Sequence, residues 1–257
     1  MQQTGTNRSI KGRLRGARPA QSAWVPAPLD RPATGLDRPW WRQRWLTILA
    51  GYSFAFLIGM AFAAWAQRFG DWQHGTGWER SLLLWTQAHK PPRWLDALIY
   101  ASPWLGTNIT LIPGVLVGVW WLWARAKRPH LAMRLLIVQV GSYILNPALK
   151  ALYDRPRPDL FPRRGWYGWS SYPSGHAIAS ISVLFTVAAI LYRERGWTWP
   201  YWVLVPISLM SLYSRIYLGV HWPIDVIAGA VVGIVWLLMT SIAFREDHAR
   251  HGTTNAG

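Results

Sequence analysis

Three short segments of this sequence carry the residue types that bind and transfer a phosphoryl group. Lysine and arginine supply fixed positive charge, and the planar arginine fork matches phosphate oxygens in pairs. Histidine titrates near neutral pH and can act as nucleophile, base or acid. The segments are Lys150-Ala-Leu-Tyr-Asp-Arg-Pro-Arg157-Pro158, Pro173-Ser174-Gly175-His176, and Ser214-Arg215 with His221 and Asp225 following. Together they predict one phosphate pocket with a histidine nucleophile and a histidine acid.

Five residues of these segments are the predicted phosphate-binding groups. Ser174 and Gly175 stand where an apolar stretch begins, and the free N–H groups at a helix start attract an anion. Glycine also lets a phosphate approach the backbone closely. The alternative for each cation, taken singly, is a charge that merely flanks a membrane span. The five groups are Lys150, Arg157, Ser174, Gly175 and Arg215.

His176 and His221 differ from the other histidines because each stands beside a cation or a helix start. Asp225 follows His221 by four residues, and Pro223 between them suits the first turn of a helix. The carboxylate can then accept the Nδ1 proton of His221 and leave Nε2 free to attack. A structural histidine that caps the last helix is the alternative. The other histidines, interpreted as loop or tail residues, are His74, His89, His130, His248 and His251.

Metal chemistry is the competing interpretation of the same groups. Two histidines and a carboxylate can bind zinc or iron, but three cations in the same pocket repel a divalent ion. We therefore expect no catalytic metal and no other cofactor. The chain has no cysteine, which excludes disulfides and a thiolate nucleophile. Arg155, Arg163 and Arg164 are interpreted as surface charge or as loose contacts with lipid headgroups.

The elements that must position these segments are apolar stretches close to the length of about 20 residues that crosses a bilayer. Hydrophobic residues make up 51% of the chain. The pattern predicts an all-α bundle of six transmembrane helices, and a short interfacial helix over 78–87. The predicted spans are 45–66, 98–123, 131–149, 174–192, 200–217 and 223–244.

Charge asymmetry predicts the orientation of this bundle. Basic loops at 125–130 and 193–199, together with basic tails, mark the cytoplasmic side, so both termini are predicted to be cytoplasmic. The chain has room to cross the membrane twice between His176 and Arg215, which places all three segments at the outer face. Binding of nucleic acid is the alternative for the basic N-terminal tail, and we expect no nucleic-acid partner.

The predicted domain organisation has three parts. Residues 1–44 are rich in Pro, Gly and Arg and are expected to be a largely disordered cytoplasmic tail. Residues 45–244 form the membrane domain, and 245–257 form a short cytoplasmic tail. The first apolar stretch begins too deep in the chain for an ordinary cleaved signal peptide, so we expect it to be retained as a span.

The spacing within and between the segments resembles the signature of the type 2 phosphatidic acid phosphatase superfamily, to which vanadium-dependent haloperoxidases also belong. The resemblance implies that His221 forms a phosphohistidine and that Asp225 orients it. It implies that His176 protonates the leaving oxygen and then activates water. Phosphoryl oxygens are implied to be held by Lys150, Arg157, Ser174, Gly175 and Arg215, without a metal.

We therefore expect a bacterial inner-membrane phosphatase that removes a terminal phosphate from a lipid mono- or diphosphate at the periplasmic or exterior face. Undecaprenyl diphosphate, phosphatidylglycerophosphate and phosphatidic acid are the expected substrates. A lipid A 1-phosphatase and a lipid phosphotransferase are alternatives with the same motifs. A haloperoxidase is disfavoured because such relatives are soluble. An anion or lipid transporter is disfavoured because the charged groups cluster at one face rather than at the midplane.

Overall fold

The computed structural model describes residues 44–165 and 167–245, and every regular element in these ranges is a helix. Apart from one residue each, the predicted tails 1–44 and 245–257 lie outside the described residues. The helices are α1 (Trp45–Phe69), α2 (Gly77–Ala88), α3 (Arg93–Ala101), α4 (Pro103–Gly106), α5 (Asn108–Trp120), α6 (Pro129–Leu152), α7 (Gly175–Ala179), α8 (Phe185–Arg195), α9 (Trp199–Tyr217) and α10 (Pro223–Ala243).

Four helices of the described chain are long and apolar enough to cross a membrane. They are α1, α6, α10 and the helix Gly175–Arg195, in which a π-helical turn joins α7 to α8. A fifth crossing results if Arg93–Gly106 and Asn108–Arg125, which meet at a bend of 53°, form one span. The all-helical membrane architecture is thus confirmed, while the count of six spans stays a prediction.

The bend within the second predicted span has a local cause. Pro103 occupies the first position of α4, where its missing N–H costs no hydrogen bond. Thr107 has an extended backbone between α4 and α5, which interrupts the helix. The sequence predicted one span at 98–123 with Pro103 as a kink or a helix start, and the structure has three successive helices there.

α9 is the predicted fifth span, but it is not among the four helices that are long and apolar enough to cross a membrane. Its nineteen residues include two prolines and several serines, which lower its mean hydropathy. Ser208, Ser211 and Ser214 are fully buried, so these polar groups face neighbouring helices. The mean hydropathy of a helix also counts the polar residues that face inward. It can therefore be low even when the outer surface of the helix is apolar.

The core forms where α10 packs against α1, α6 and α7. Trp236 of α10 is buried in this core, and its indole N–H donates to the carbonyl of Val138 in α6 at 3.1 Å. At the other end of the bundle, the hydroxyl of Tyr172 donates to the carbonyl of Gly59 in α1 at 2.6 Å. This bond fixes the loop between α6 and α7 onto the bundle.

Four elements meet at the end of the bundle that carries the three chemical segments: the last turn of α6, the first turn of α7, the last turn of α9 and the first turn of α10. The N–H of Ser174 donates to the carbonyl of Asp225 at 3.0 Å, which ties α7 to α10. Gly219 turns the chain between α9 and α10 with a φ of +70°, a conformation that favours glycine.

Candidate active site

The three segments surround one cavity of about 490 Å³. Lys150 lies in the last turn of α6 and Arg157 in the loop that follows. His176 belongs to the first turn of α7, Arg215 to the last turn of α9, and His221 to the turn before α10. The cavity is lined by Asn146, Lys150, Arg157, Tyr167, Gly168, Trp169, Gly175, His176, Arg215 and His221.

Two of the predicted site residues, Ser174 and Asp225, do not line the cavity but are fully buried next to residues that do. The hydroxyl of Ser174 has no hydrogen-bond partner among the described residues. Gly175 and His176, which follow Ser174 in the chain, line the wall of the cavity.

Two cations of the cavity, Lys150 and Arg157, are held mainly by backbone carbonyls of the loop between α6 and α7. The ammonium group of Lys150 donates to the carbonyl of Ser170 at 2.6 Å. Arg157 donates to the carbonyls of Gly168 and Ser170, both at 2.8 Å, and to that of Val220. These bonds use several donors and leave the positive charge uncompensated by a direct carboxylate contact among the described residues.

Burial lowers the pKa of Arg157 to about 10, and the nearby negative charge of Asp225 partly opposes this shift. At neutral pH the guanidinium therefore keeps its charge. A preorganised cation in a partly desolvated cavity stabilises developing negative charge more strongly than it does in water.

His221 is almost fully buried, and Nη1 of Arg157 lies 3.4 Å from its Nε2. The pKa of His221 is held well below its ordinary value, first by burial and then by Arg157, Lys150 and Arg215. The imidazole is therefore neutral near pH 7. Because a guanidinium only donates hydrogen bonds, the nitrogen that faces it is the unprotonated one. This arrangement keeps the proton off Nε2, whose electron pair accepts from Arg157 and is the one that a nucleophilic attack would use.

Asp225 stands beside the other nitrogen of this imidazole. Its Oδ2 lies 3.7 Å from Nδ1 of His221, which is longer than a hydrogen bond. The same oxygen accepts hydrogen bonds from the N–H of Trp222 at 2.9 Å and from the hydroxyl of Ser171. The predicted pair is thus adjacent but not hydrogen-bonded. Catalytic hydrogen bonds are often this long before substrate binds.

His176 stands where the polar cavity meets a second, mostly apolar one. Its Nε2 lies 3.5 Å from Nη1 of Arg215. The second cavity measures about 390 Å³, and both His176 and Arg215 contribute to its wall. Its lining consists of Tyr100, Pro103, Trp104, Thr107, Ile109, Gly165, His176, Arg215 and Leu218.

The interpretation of Arg155 as a surface charge is wrong. Arg155 is only 1% exposed, and its Nη1 donates to Oδ1 of Asp225 at 2.7 Å. Its Nη2 pairs with Glu79 of α2 at 3.2 Å. Arg163 and Arg164 are half-buried in the same loop, where Arg164 pairs with Asp96 at 2.9 Å. Sequence reasoning missed Arg155 because its two carboxylate partners are distant in the chain.

Asn146 is a second residue that sequence reasoning missed. It lies one turn before Lys150 in α6 and lines the polar cavity. Its buried Oδ1 has no hydrogen-bond partner among the described residues. The signal in the sequence was its spacing, since residues four apart share one face of a helix.

Known proteins resemble this chain over the part that carries the site. Residues 131–248, which include all eight predicted site residues, match the family model of the PAP2 superfamily. A putative undecaprenyl-diphosphatase of Escherichia coli is 30% identical over 144 residues, which cover 53% of this chain and 68% of that protein. Phosphatidylglycerophosphatase B of Bacillus subtilis is 29% identical over 148 residues, which cover 55% of this chain and 71% of that protein.

A solved structure shares the fold. It is a transmembrane PAP2-type phosphatidylglycerolphosphate phosphatase from Bacillus subtilis, with a TM-score of 0.59 and 22% sequence identity. The alignment covers 76% of this chain and 94% of that one. The family match, the relative in Escherichia coli and this common helical architecture lead to one conclusion: the chain belongs to the PAP2 superfamily.

Proposed function

We propose that this chain is a membrane phosphatase that removes the terminal phosphate of a lipid mono- or diphosphate. Undecaprenyl diphosphate, phosphatidylglycerophosphate and phosphatidic acid are the proposed substrates. The names of the relatives in Escherichia coli and Bacillus subtilis support the first two. The observation that carries the proposal is the place of His176, between a cationic cavity and an apolar one.

The two cavities fit the two halves of such a substrate. The cationic cavity, with Lys150, Arg157 and Arg215, suits a phosphoryl group. The apolar cavity, bounded by α3, α4, α5 and α9, suits the first carbons of a lipid chain. The bond between phosphorus and the lipid oxygen then lies at His176, which is where a proton is needed.

The proposed reaction has two steps. The electron pair of His221 Nε2 attacks phosphorus, the bond to the lipid oxygen breaks, and protonated His176 gives its proton to that oxygen. In the second step His176 takes a proton from water, whose oxygen attacks the phosphohistidine and releases phosphate. Both steps build negative charge on phosphoryl oxygens, which Lys150, Arg157 and Arg215 stabilise.

Asp225 has an orienting role in this mechanism. With Arg157 facing Nε2, the proton of His221 resides on Nδ1, toward Oδ2 of Asp225. The carboxylate stabilises the positive charge that the ring gains when Nε2 binds phosphorus. The cations perform the electrostatic work for which other phosphatases use a metal, so we propose a metal-independent reaction.

The proposed topology has six spans, with both termini in the cytoplasm of a bacterium and the active site at the periplasmic face of the inner membrane. Support comes from the basic loops at 125–130 and 193–199. α9 then serves as the fifth span, with its serines turned toward the bundle.

The proposal is tested with purified protein and a panel of lipid phosphates in mixed micelles, with release of inorganic phosphate as the measurement. We expect release from at least one of the three proposed substrates and none from a soluble sugar phosphate at the same concentration. Release from no lipid phosphate, by protein that is folded and binds orthovanadate, contradicts the proposed substrate class. His221→Ala is the matched inactive control.

A further inference from the structure

A cluster of three buried charges lies directly behind the proposed nucleophile. It consists of Glu79, Arg155 and Asp225, with exposed fractions of 0%, 1% and 0%. Glu79 belongs to the short helix α2, outside the matched range 131–248. Burying three charges is costly unless each is paired and hydrogen-bonded, so their arrangement requires a specific explanation.

Glu79 connects the start of α2 to the start of α10. Its Oε2 accepts hydrogen bonds from the N–H and the hydroxyl of Thr76, at 2.9 and 3.0 Å. Its Oε1 accepts the N–H of Ile224 at 3.2 Å. Ile224 lies between His221 and Asp225, so this bond acts on the first turn of the helix that carries the proposed catalytic pair.

Arg155 is held by hydrogen bonds along its edge and by contacts with two tryptophan rings. Its Nη1 binds Asp225 at 2.7 Å, its Nη2 binds Glu79 at 3.2 Å, and its Nε donates to the carbonyl of Trp72 at 3.0 Å. The rings of Trp72 and Trp222 lie over the guanidinium at 5.0 and 5.5 Å. Only the planar fork of arginine satisfies these directions simultaneously.

The charge balance of the cluster matters for His221. Arg155 and Asp225 alone form a neutral pair, and a guanidinium at 2.7 Å draws the negative charge of Asp225 away from the imidazole. Glu79 offsets this effect by sharing the same guanidinium. The cluster as a whole carries one negative charge and lies on the Nδ1 side of His221, while Nη1 of Arg157 faces Nε2 on the other side.

We infer that Glu79 and Arg155 are positioning residues that hold Asp225 against His221 Nδ1 and preserve the negative charge there. They act through Asp225 and do not touch the substrate. The inference rests on the proposed role of His221 as nucleophile, and it extends the working site to α2, which the three motifs do not include.

The test uses Glu79→Gln, Arg155→Lys and the double variant in the full-length chain. Glu79→Gln keeps the shape but removes the charge, and Arg155→Lys keeps the charge but removes the fork. We expect each to lower kcat on an aryl phosphate at least tenfold, roughly as for groups that orient a primary ligand or base, with KM little changed. Because both residues act through Asp225, we expect the kcat of the double variant to be no lower than that of the more impaired single variant.

The second measurement is the tautomer of His221, read from imidazole nitrogen shifts of ¹⁵N-histidine-labelled protein. The signal is assigned by its loss in His221→Ala. We expect the Nδ1–H form in the unchanged chain and a larger share of the Nε2–H form in both single variants. Arg128→Lys is the matched control, since it alters the Arg128–Glu194 pair, whose residues line neither cavity, and it changes neither measurement.

The outcomes separate this inference from the proposed function. A lower kcat with an unchanged tautomer overturns the inference, because it shows a merely structural role, and an unchanged kcat overturns it as well. If the unchanged chain hydrolyses no phosphate ester at all, the proposed function fails and the tautomer alone decides. If Glu79→Gln does not yield folded protein, the kcat and the His221 tautomer of Arg155→Lys decide the test.

Discussion

The side-chain amide of Asn146 lies against the backbone of Gly175, so that a Cβ on this glycine comes within 2.6 Å of Nδ2. The two residues belong to α6 and α7, and both line the cationic cavity. Glycine at 175 thus does more than open the backbone to an anion. It also leaves space for the Asn146 amide at the wall of the cavity.

Gly175→Ala is expected to displace the Asn146 amide, because a terminal amide rotates more easily than a helix moves. The loss of one hydrogen bond to a charged group lowers kcat/KM by about tenfold. Steady-state kinetics of Gly175→Ala, Asn146→Ala and the double variant check this. The double variant is expected to match Asn146→Ala. Gly114→Ala is the control, since a Cβ there meets nothing within 4 Å. If the losses in kcat/KM of Gly175→Ala and Asn146→Ala add up in the double variant, the interpretation is wrong.

The two histidines are expected to differ in a rapid-quench trap of phosphoenzyme. His221→Ala removes the nucleophile, so it forms no acid-labile phosphoenzyme and loses activity at least about 1,000-fold. His176→Ala still forms phosphoenzyme from an activated aryl phosphate, whose leaving group needs little protonation, and loses about 100-fold or more on a lipid monophosphate. Label retained in His221→Ala and absent in His176→Ala means that the two roles are reversed.

Asp225→Asn is expected to reduce turnover less than His221→Ala does, because it misorients the imidazole without removing it. The amide also lacks the charge that Arg155 binds at 2.7 Å. A parallel fall in melting temperature therefore accompanies the fall in kcat, and tryptophan fluorescence measures it. A variant as inactive as His221→Ala, but with unchanged stability, argues that Asp225 takes part directly in the chemistry.

The pH dependence of phosphoenzyme formation follows from the lowered pKa of His221, which burial and the facing cations keep well below 6.5. A lowered pKa keeps the neutral, nucleophilic form present as the pH falls through 6.5. In the His176→Ala background, with an activated aryl phosphate, the rate is therefore expected to stay level between pH 7.5 and about 5.5. A loss with a midpoint near 6.5 contradicts this.

Activity is expected to persist in excess EDTA, because Lys150, Arg157 and Arg215 occupy the electrostatic role of a metal in the proposed mechanism. Orthovanadate, which mimics a five-coordinate phosphoryl group, is expected to inhibit competitively. Its inhibition constant rises in Arg157→Ala, since that guanidinium stays charged at neutral pH although burial lowers its pKa to about 10. If EDTA abolishes activity and a divalent ion restores it, the metal-free mechanism is wrong.

The proposed topology predicts the labelling of single cysteines in intact cells, where a membrane-impermeant thiol reagent reaches only the periplasm. The chain has no cysteine of its own. Arg164→Cys is expected to react, whereas Lys127→Cys reacts only after the membrane is permeabilised. The opposite pattern inverts the orientation of the bundle.

The sequence predicted those parts of the site whose residues lie close together in short motifs. The gathering of Lys150, Arg157, Arg215 and two histidines at one end of the bundle followed from motif spacing and from the number of crossings between motifs. Glu79 was beyond such reasoning, because its partner Ile224 lies 145 residues away. The bend at Thr107 was equally hidden, since proline positions mark helix starts but not the angle between helices.

His176 lies between the cationic cavity and the apolar cavity. In the proposed reaction, phosphate forms beside the cationic cavity and the lipid alcohol beside the apolar one. Products that separate at this histidine therefore diffuse into different phases, and each is diluted within its own. Re-formation of the ester requires both to return to the site at once and is therefore slow, while the direction of the reaction is set by the free energy of hydrolysis.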